Sequence, residues 1–285
     1  MEEKNKIRSS TLYLVGTPIG NLADISERAK KVLSEVSFIA AEDTRNSLKL
    51  LSALGIHGEL VSYHEHNRKS SGERIIARLL GGESCALITD AGMPAISDPG
   101  EDIVMLAQDA GLTVSVIPGP CAAVSALAVS GLPTGKFVFE GFLSPVKGER
   151  RRRIAELSAE ERTVILYEAP HKLKATLSDL CELLGGERKI SLCRELTKLN
   201  EEVFRTDLNG AVSHYEKNEP RGEFVLIIEG CKERPCADVE SESITAEELV
   251  GRYVSEGMSK TEAIKKAAKE KGINRSELYK LLAND

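Results

Sequence analysis

The run Cys85-Ala86-Leu87-Ile88-Thr89 constrains the fold of this chain more than any other stretch. It is long enough for a buried strand and too short for a typical helix. It breaks into Asp90, Ala91, Gly92, Met93 and Pro94, continues through Ile96 to Ser97-Asp98-Pro99-Gly100, and gives way to a helical pattern from Glu101 to Ala110. A buried strand opening into a small-residue, proline-stiffened loop places backbone amides at the strand's carboxyl end. Open α/β sheets bind ligands there. An ordinary crossover has the same appearance, so this loop alone does not decide its role.

The pattern recurs. Apolar runs at Thr11–Val15, Ser37–Ala41, Glu59–Tyr63 and Thr113–Ile117 alternate with helical spacing over Ile25–Val36, Asp43–Leu54, Ser71–Leu80 and Cys121–Ser130. Strands alternating with helices of this length predict an α/β fold whose mostly parallel sheet is covered on both faces. Gly131-Leu132-Pro133-Thr134-Gly135 marks the expected end of a first α/β domain, 1–131. A second α/β domain, 132–230, has strands at Phe137–Phe142, Val164–Tyr167, Ile190–Arg194, Glu202–Thr206 and Phe224–Ile228 and a basic helix at Lys147–Leu157. Two of its strands lie too close together for a helical crossover, which predicts antiparallel pairing. Residues 231–244 read as a linker. The region 245–285 reads as helical: a Thr245/Glu248 capping box opens it, and two short helices flank a turn at Gly272. That arrangement suits a helix-turn-helix or a small docking bundle equally.

Bulk properties narrow the class. The net charge of −6 argues against nonspecific coating of nucleic acid, while leaving room for a local basic patch. No apolar run approaches the roughly 20 residues of a membrane span, and the charged start MEEKNKIRSS lacks the apolar core of a signal peptide. The six cysteines are scattered without a C-x-x-C pair. They read as reduced thiols of a cytoplasmic protein. Cys231 and Cys236 have no second pair or histidine nearby, and no metal site is expected.

Four strand ends of the first half carry unusual loops: Gly16 to Asn21, Glu42 to Arg45, His64 to Asn67, and Asp90 to Gly100. In a parallel sheet they share one edge. Gly16-x-x-x-Gly20 is neither a Walker loop nor a dinucleotide fingerprint; Gly16, Thr17, Pro18 and Asn21 are either a tight turn or a close backbone approach to substrate. Glu42, Asp43 and Arg45 are either an ion-paired helix start or substrate contacts, and Asn67 is a further polar contact. His64-x-His66 with Glu65 lacks a third metal ligand and suits a surface turn or a polar substrate contact. Lys147, Arg150, Arg151, Arg152 and Arg153 form the densest basic cluster, either a solvated helix face or a contact for RNA phosphates, which arginine binds bidentately.

Taken together and in order, LYLVGTPIGNLADIS, AAEDTR, SYHEHN, ITDAGMPAISDPG, IPGPCAAVSAL, FEGFLSP and RGEFVLIIEG resemble the ribosomal RNA small-subunit methyltransferase I family, a branch of the tetrapyrrole-methylase-like class III methyltransferases. The resemblance covers about Thr11 to Gly230. It implies two α/β domains with S-adenosylmethionine in the cleft between them, a homodimer, and 2'-O-methylation of a cytidine in 16S ribosomal RNA, within the small ribosomal subunit. The implied donor contacts fall on Asp90, Ala91, Gly92, Met93, Pro94, Ile96, Cys121, Ala122, Tyr167, Glu168, Ala169, Leu196, Gly222 and Glu223. Met93 stands where related enzymes often place an aspartate, so a donor contact there must use backbone or sulfur.

A sulfonium is already a good leaving group, which leaves the protein mainly to align the acceptor oxygen with the methyl carbon. The ribose hydroxyl also needs deprotonation or strong hydrogen bonding, for which His64, Asp43 and Glu65 are the candidates. Arg45 and Asn67 would orient ribose or phosphate. Methylation of a tetrapyrrole or of a modified protein histidine, and noncatalytic RNA binding, are the competing readings.

Overall fold

The computed structural model describes residues 6–232, 245–255, 257–271, 273–274, 278–279 and 282. Its first half alternates as the sequence predicts: β1 (Thr11–Val15), α1 (Glu27–Glu35), β2 (Phe38–Ala41), α2 (Thr44–Ala53), β3 (Leu60–Ser62), α3 (Arg68–Leu80), β4 (Ser84–Ile88), α4 (Glu101–Asp109), β5 (Thr113–Ile117) and α5 (Ala122–Ser130). The strands form one sheet in the order β3-β2-β4-β1-β5, every pairing parallel. Alternate side chains on each strand enter opposite cores. Tyr13, Val15, Ile39, Ala86 and Ile88 pack with Ala29, Val32 and Leu33 of α1 and Leu51 of α2. Leu12, Phe38, Cys85 and Leu87 pack with Ile75 and Leu79 of α3 and Ile103 of α4 on the other face. Burial on both faces is why these strands read as apolar runs without alternation.

The second half runs β6 (Phe137–Phe142), α6 (Lys147–Glu156), β7 (Thr163–Glu168), α7 (Pro170–Leu184), β8 (Lys189–Arg194), β9 (Glu202–Asp207), α8 (Leu208–Lys217) and β10 (Phe224–Ile228). Its sheet order is β6-β7-β10-β8-β9. β6 and β7 pair in parallel across α6, and the remaining pairings are antiparallel, including the expected β8–β9 pair. The sequence reading passed over α7 and α8. Each carries a start signal: Pro170 at the first turn of α7, and Asp207, whose carboxylate accepts the Gly210 N–H at 2.8 Å, at the start of α8.

The two sheets fall within one compact unit, 1–230, and 231–285 forms a second. The element joining the sheets is α5. Its Ala123, Ala126 and Leu127 pack on Ile165 of β7, Cys193 of β8, and Val225 and Ile227 of β10. Arg205 of β9 donates to the carbonyls of Val129 and Ser130, closing the open end of this helix.

In the second unit, α9 (Ala246–Ser255) and α10 (Lys260–Lys271) bury Leu249, Val250 and Tyr253 against Ala263, Ile264, Ala267 and Leu278. The capping box is present: Glu248 N–H donates to Thr245 Oγ1 at 3.2 Å, and Thr245 N–H to Glu248 Oε2 at 2.8 Å. Cys236, the turn at Gly272 and most of the linker lie outside the described residues. Among the described residues no helix is long and apolar enough to cross a membrane.

Candidate active site

Because β4, β1 and β5 are neighbours, the loops that leave their carboxyl ends must lie side by side. They are stitched together. Thr17 and Gly92 exchange backbone hydrogen bonds of 2.9 and 3.2 Å, and the buried Thr17 Oγ1 donates to the Thr89 carbonyl at 3.2 Å. A Cβ on Gly16 would fall 2.7 Å from both Gly119 Cα and Met93 Sδ, so only glycine allows the β1 and β5 loops to touch. Gly16 and Thr17 therefore hold the loops together. Asn21 spends its side-chain oxygen on the Ala23 N–H at 3.0 Å, capping a short helical turn, and Pro18 lies beside the cleft-lining Ile19.

The β4 loop is backbone-strained. Ala95 and Ser97 adopt φ of 65° and 67°, a left-handed conformation that costs non-glycine residues energy, and Gly92 stands at 84°. Such outliers persist only where surrounding structure holds them.

The facing wall comes from the second sheet. Tyr167, at the end of β7, packs edge-on against Phe139 and Phe142, with ring centroids 5.0 and 5.5 Å away, and its hydroxyl accepts the Ala123 N–H at 3.2 Å. The buried Glu168 carboxylate turns inward, accepting from Ala169 N–H at 2.9 Å and Thr176 Oγ1 at 2.5 Å. After β8 the chain is strained again, with Glu195 at φ 51° and Thr197 at 67°. Lys198 ties this loop to the one before β10, reaching Glu195 and Glu223 at 2.8 Å each. The lysine's hydrogen bond holds the Glu195 carboxyl below its usual range. Gly222 supports the same corner, since a Cβ there would lie 2.5 Å from Glu195 Cγ. Gly20 meets Lys198 from the opposite side, its missing Cβ 2.4 Å from Lys198 Cγ, so the β1 and β8 loops touch across the mouth.

Between these walls lies a cleft of about 450 Å³, a size suited to a small molecule. The structure brings together Ala91, Gly92, Met93, Ile96, Cys121, Ala122, Tyr167, Glu168, Ala169, Leu196 and Glu223 on its lining. Asp90, Pro94 and Gly222 are set back: Asp90 is exposed and accepts from Asn46 Nδ2 at 2.9 Å, and Pro94 is buried. The sequence reading missed Ser97, Asp98, Phe142, His171, Cys193 and Lys198, which also line the cleft. Of these, Asp98 had a visible signal, as a carboxylate within the loop already singled out.

Several polar residues of the sheet edge pair within their own loops. Asp43 caps α2 by accepting Arg45 N–H at 2.8 Å and chelates the same arginine's guanidinium at 2.8 and 3.1 Å. Those hydrogen bonds lower the Asp43 carboxyl to about 2, which makes it a poor proton acceptor. Asp43 and Arg45 are thus partners of each other. Asn67 folds its own loop, accepting the His64 N–H at 2.8 Å. His64 and Glu65 are absent from the cleft lining. β2 and β4 are adjacent, so Glu42 and the β4 loop meet. Burial, and then the charge of Asp90, raise the Glu42 carboxyl. Burial, and then Glu42, raise Asp98 to about 6.

The arginine cluster is also spoken for. Arg150 is buried against Asp179 of α7 at 2.7 Å, Arg151 bridges Asp179 and Glu182, and Arg153 bridges Glu140 and Glu156. Lys147 and Arg152 stay exposed. Of the carboxylates involved, Glu156 is on α6 itself, while Glu140 lies on β6 and Asp179 and Glu182 on α7, where a local reading of the sequence does not pair them with the cations.

The profile of the Tetrapyrrole (Corrin/Porphyrin) Methylases matches residues 11–211. The Ribosomal RNA small subunit methyltransferase I of Halalkalibacterium halodurans is 47% identical over 95% of this chain and 94% of its own length. The chain belongs to this methyltransferase family. The relative of the same description from Bacillus subtilis is 44% identical over 98% of this chain and 96% of its own, and that from Escherichia coli O157:H7 is 40% identical over 94% and 93%. In fold, the family's architecture is shared with a cobalt precorrin-4 methyltransferase (TM-score 0.58, 15% identity, 77% of this chain and 95% of that one). It is shared too with a uroporphyrin-III-C-methyltransferase from Thermus thermophilus (TM-score 0.56, 21% identity, 77% and 94%). At those identities the likeness concerns the fold alone.

Proposed function

We propose that this chain transfers a methyl group from S-adenosylmethionine to the 2'-hydroxyl of a cytidine in 16S ribosomal RNA. The observation that carries this reading is 40–47% identity to ribosomal RNA small subunit methyltransferases I along nearly the whole chain. The lining of the cleft suits the donor: apolar walls from Ile19, Met93, Ile96, Phe142, Tyr167 and Leu196, the backbone of Ala91 and Gly92, and the carboxylate of Asp98 for a cationic ligand, Glu195 and Glu223 being paired with Lys198. When bound, S-adenosylmethionine supplies an electrophilic methyl carbon on a sulfonium leaving group.

This chain's own part is to exclude water, align the acceptor oxygen and receive its proton. Asp98 is the group best placed for the last task. It lines the cleft, lacks a cation partner among the described residues, and has a carboxyl raised toward neutrality, whereas Asp43 is consumed by Arg45. A nearby bound cation lowers such a carboxyl and keeps it ionised as an acceptor. We place the donor between the two α/β layers, 1–131 and 132–230, and read the enzyme as a cytoplasmic homodimer. Apolar Val124 and Val129, exposed on α5, supply surface for a second copy.

Tritiated donor, the purified full chain, and either naked 16S RNA or small subunits form the test. Label in RNA is expected with at least one substrate; no label in either contradicts the assignment. Label in a macrocycle or a protein substrate alone would transfer it to the competing activities.

A further inference from the structure

A second cavity, of about 210 Å³, lies between α1 and the edge strand β5, away from the donor cleft. It exists because β5 is the last strand of its sheet and α1 covers only part of that face. Thr113, Ser115 and Ile117 project along one wall, and Thr11 and Tyr13 form the floor. Among the described residues of its lining, every ionisable group apart from Tyr13 is a cation: Lys6, Arg8, Arg28 and Lys31. On a chain of net charge −6 this is an unusual concentration.

Lys6, Arg8 and Arg28 differ from the arginines of α6 that are bound to carboxylates. Among the described residues no carboxylate pairs with Lys6, Arg8 or Arg28; Lys31 also approaches Glu35 at 4.0 Å. Arg28 donates through one terminal nitrogen to the Val116 carbonyl at 3.1 Å. That bond anchors the guanidinium on the sheet edge and leaves other N–H donors of its fork for a ligand. Tyr13 Oη accepts the Arg8 N–H at 2.9 Å, so its own proton is available to an acceptor in the groove. An anchored Arg28, further cations, hydroxyl donors and no carboxylate among the described lining residues make a receptor for phosphate oxygens.

We propose that this groove binds the phosphate backbone of the RNA substrate. The proposal rests on the RNA methyltransferase reading and adds where the strand is held. The groove runs along β5, and β5 leads directly into Pro118-Gly119-Pro120-Cys121, whose last residue lines the donor cleft. A strand following β5 is thus delivered to the cleft's edge. Phosphate contacts of this kind fix register and orientation without reading sequence.

The test compares the full-length protein with Arg8→Glu/Arg28→Glu and with the milder Lys6→Gln/Arg8→Gln. Binding to a 16S RNA fragment is measured over a salt series, and S-adenosylmethionine and inorganic phosphate are titrated by calorimetry. The charge reversal is expected to weaken RNA binding about tenfold and to reduce the salt slope by about 2, roughly one per lost phosphate contact. The milder variant should fall between it and wild type, with donor affinity unchanged in both. Unchanged RNA affinity and slope in variants that retain donor binding overturn the groove while leaving the methyltransferase reading intact. Loss of phosphate binding alone would make the groove a small-anion site and also overturn the proposal. A wild-type protein that neither binds nor methylates RNA removes the reading beneath it.

Discussion

Asp98 is where the strain and the charge of the β4 loop meet. Its carboxyl is raised from 3.8 to about 6, first by burial and then by the charge of Glu42. Between about pH 4 and 6 the native state therefore holds a proton that the unfolded chain has released, and stability falls as pH rises through that window. Asp98→Asn should stabilise the protein by about 1–2 kcal/mol at pH 7.5, once solvent screening is allowed for, and leave it unchanged at pH 3.5. Thermal melts at the two pH values check this. Donor binding gives a second readout: a cation beside Asp98 should expel its proton near pH 6, seen as buffer-dependent calorimetric heat that vanishes at pH 8 and in the Asn variant. Equal stability at pH 7.5 and no proton release would return Asp98 to an ordinary surface carboxylate. This residue could be named from the sequence, yet its role could not. Its perturbation comes first from burial and then from Glu42, a residue distant in sequence that the adjacency of β2 and β4 brings near.

At the scale of elements, α6 shows the difference between composition and placement. Its arginines read as a basic face, whereas Arg150 and Asp179 are both nearly inaccessible, with 9% and 6% of their side chains exposed. Asp179→Ala leaves a buried guanidinium without its counter-ion, and we expect a loss of about 3 kcal/mol in urea denaturation. Arg152→Glu, on the exposed side of the same helix, should change stability by less than about 0.5 kcal/mol. Similar losses for the two variants would mean that the ion pair does not support the packing of α6 on α7. The first-half strands and helices were legible because the central strands β1, β2 and β4 are buried on both faces and several of the loops are punctuated by glycine or proline. Local pattern did not reveal the partner of an arginine on another helix, or the meeting of Gly20 with Lys198. Both are consequences of strand order, which periodicity does not encode.

For the whole molecule, α5 is the decisive connection. It leaves the first sheet at the β5 loop and packs its small residues on the second sheet, so the composition break at Gly131 falls inside one compact unit. The loops of β1, β4 and β5 are thereby held opposite Tyr167 and Leu196, and the cleft is a product of both halves. Met93 contributes by packing beside Gly16 and lining the cleft. The central claim is methyl transfer from this cleft to a ribose oxygen. Nucleoside mass spectrometry of 16S RNA incubated as small subunits with donor and wild-type protein tests it most directly, with Gly92→Trp as the filled-cleft control. The account predicts 2'-O-methylcytidine with wild type and none with the variant. Methylation on a base, or full activity with the cleft filled, would contradict it.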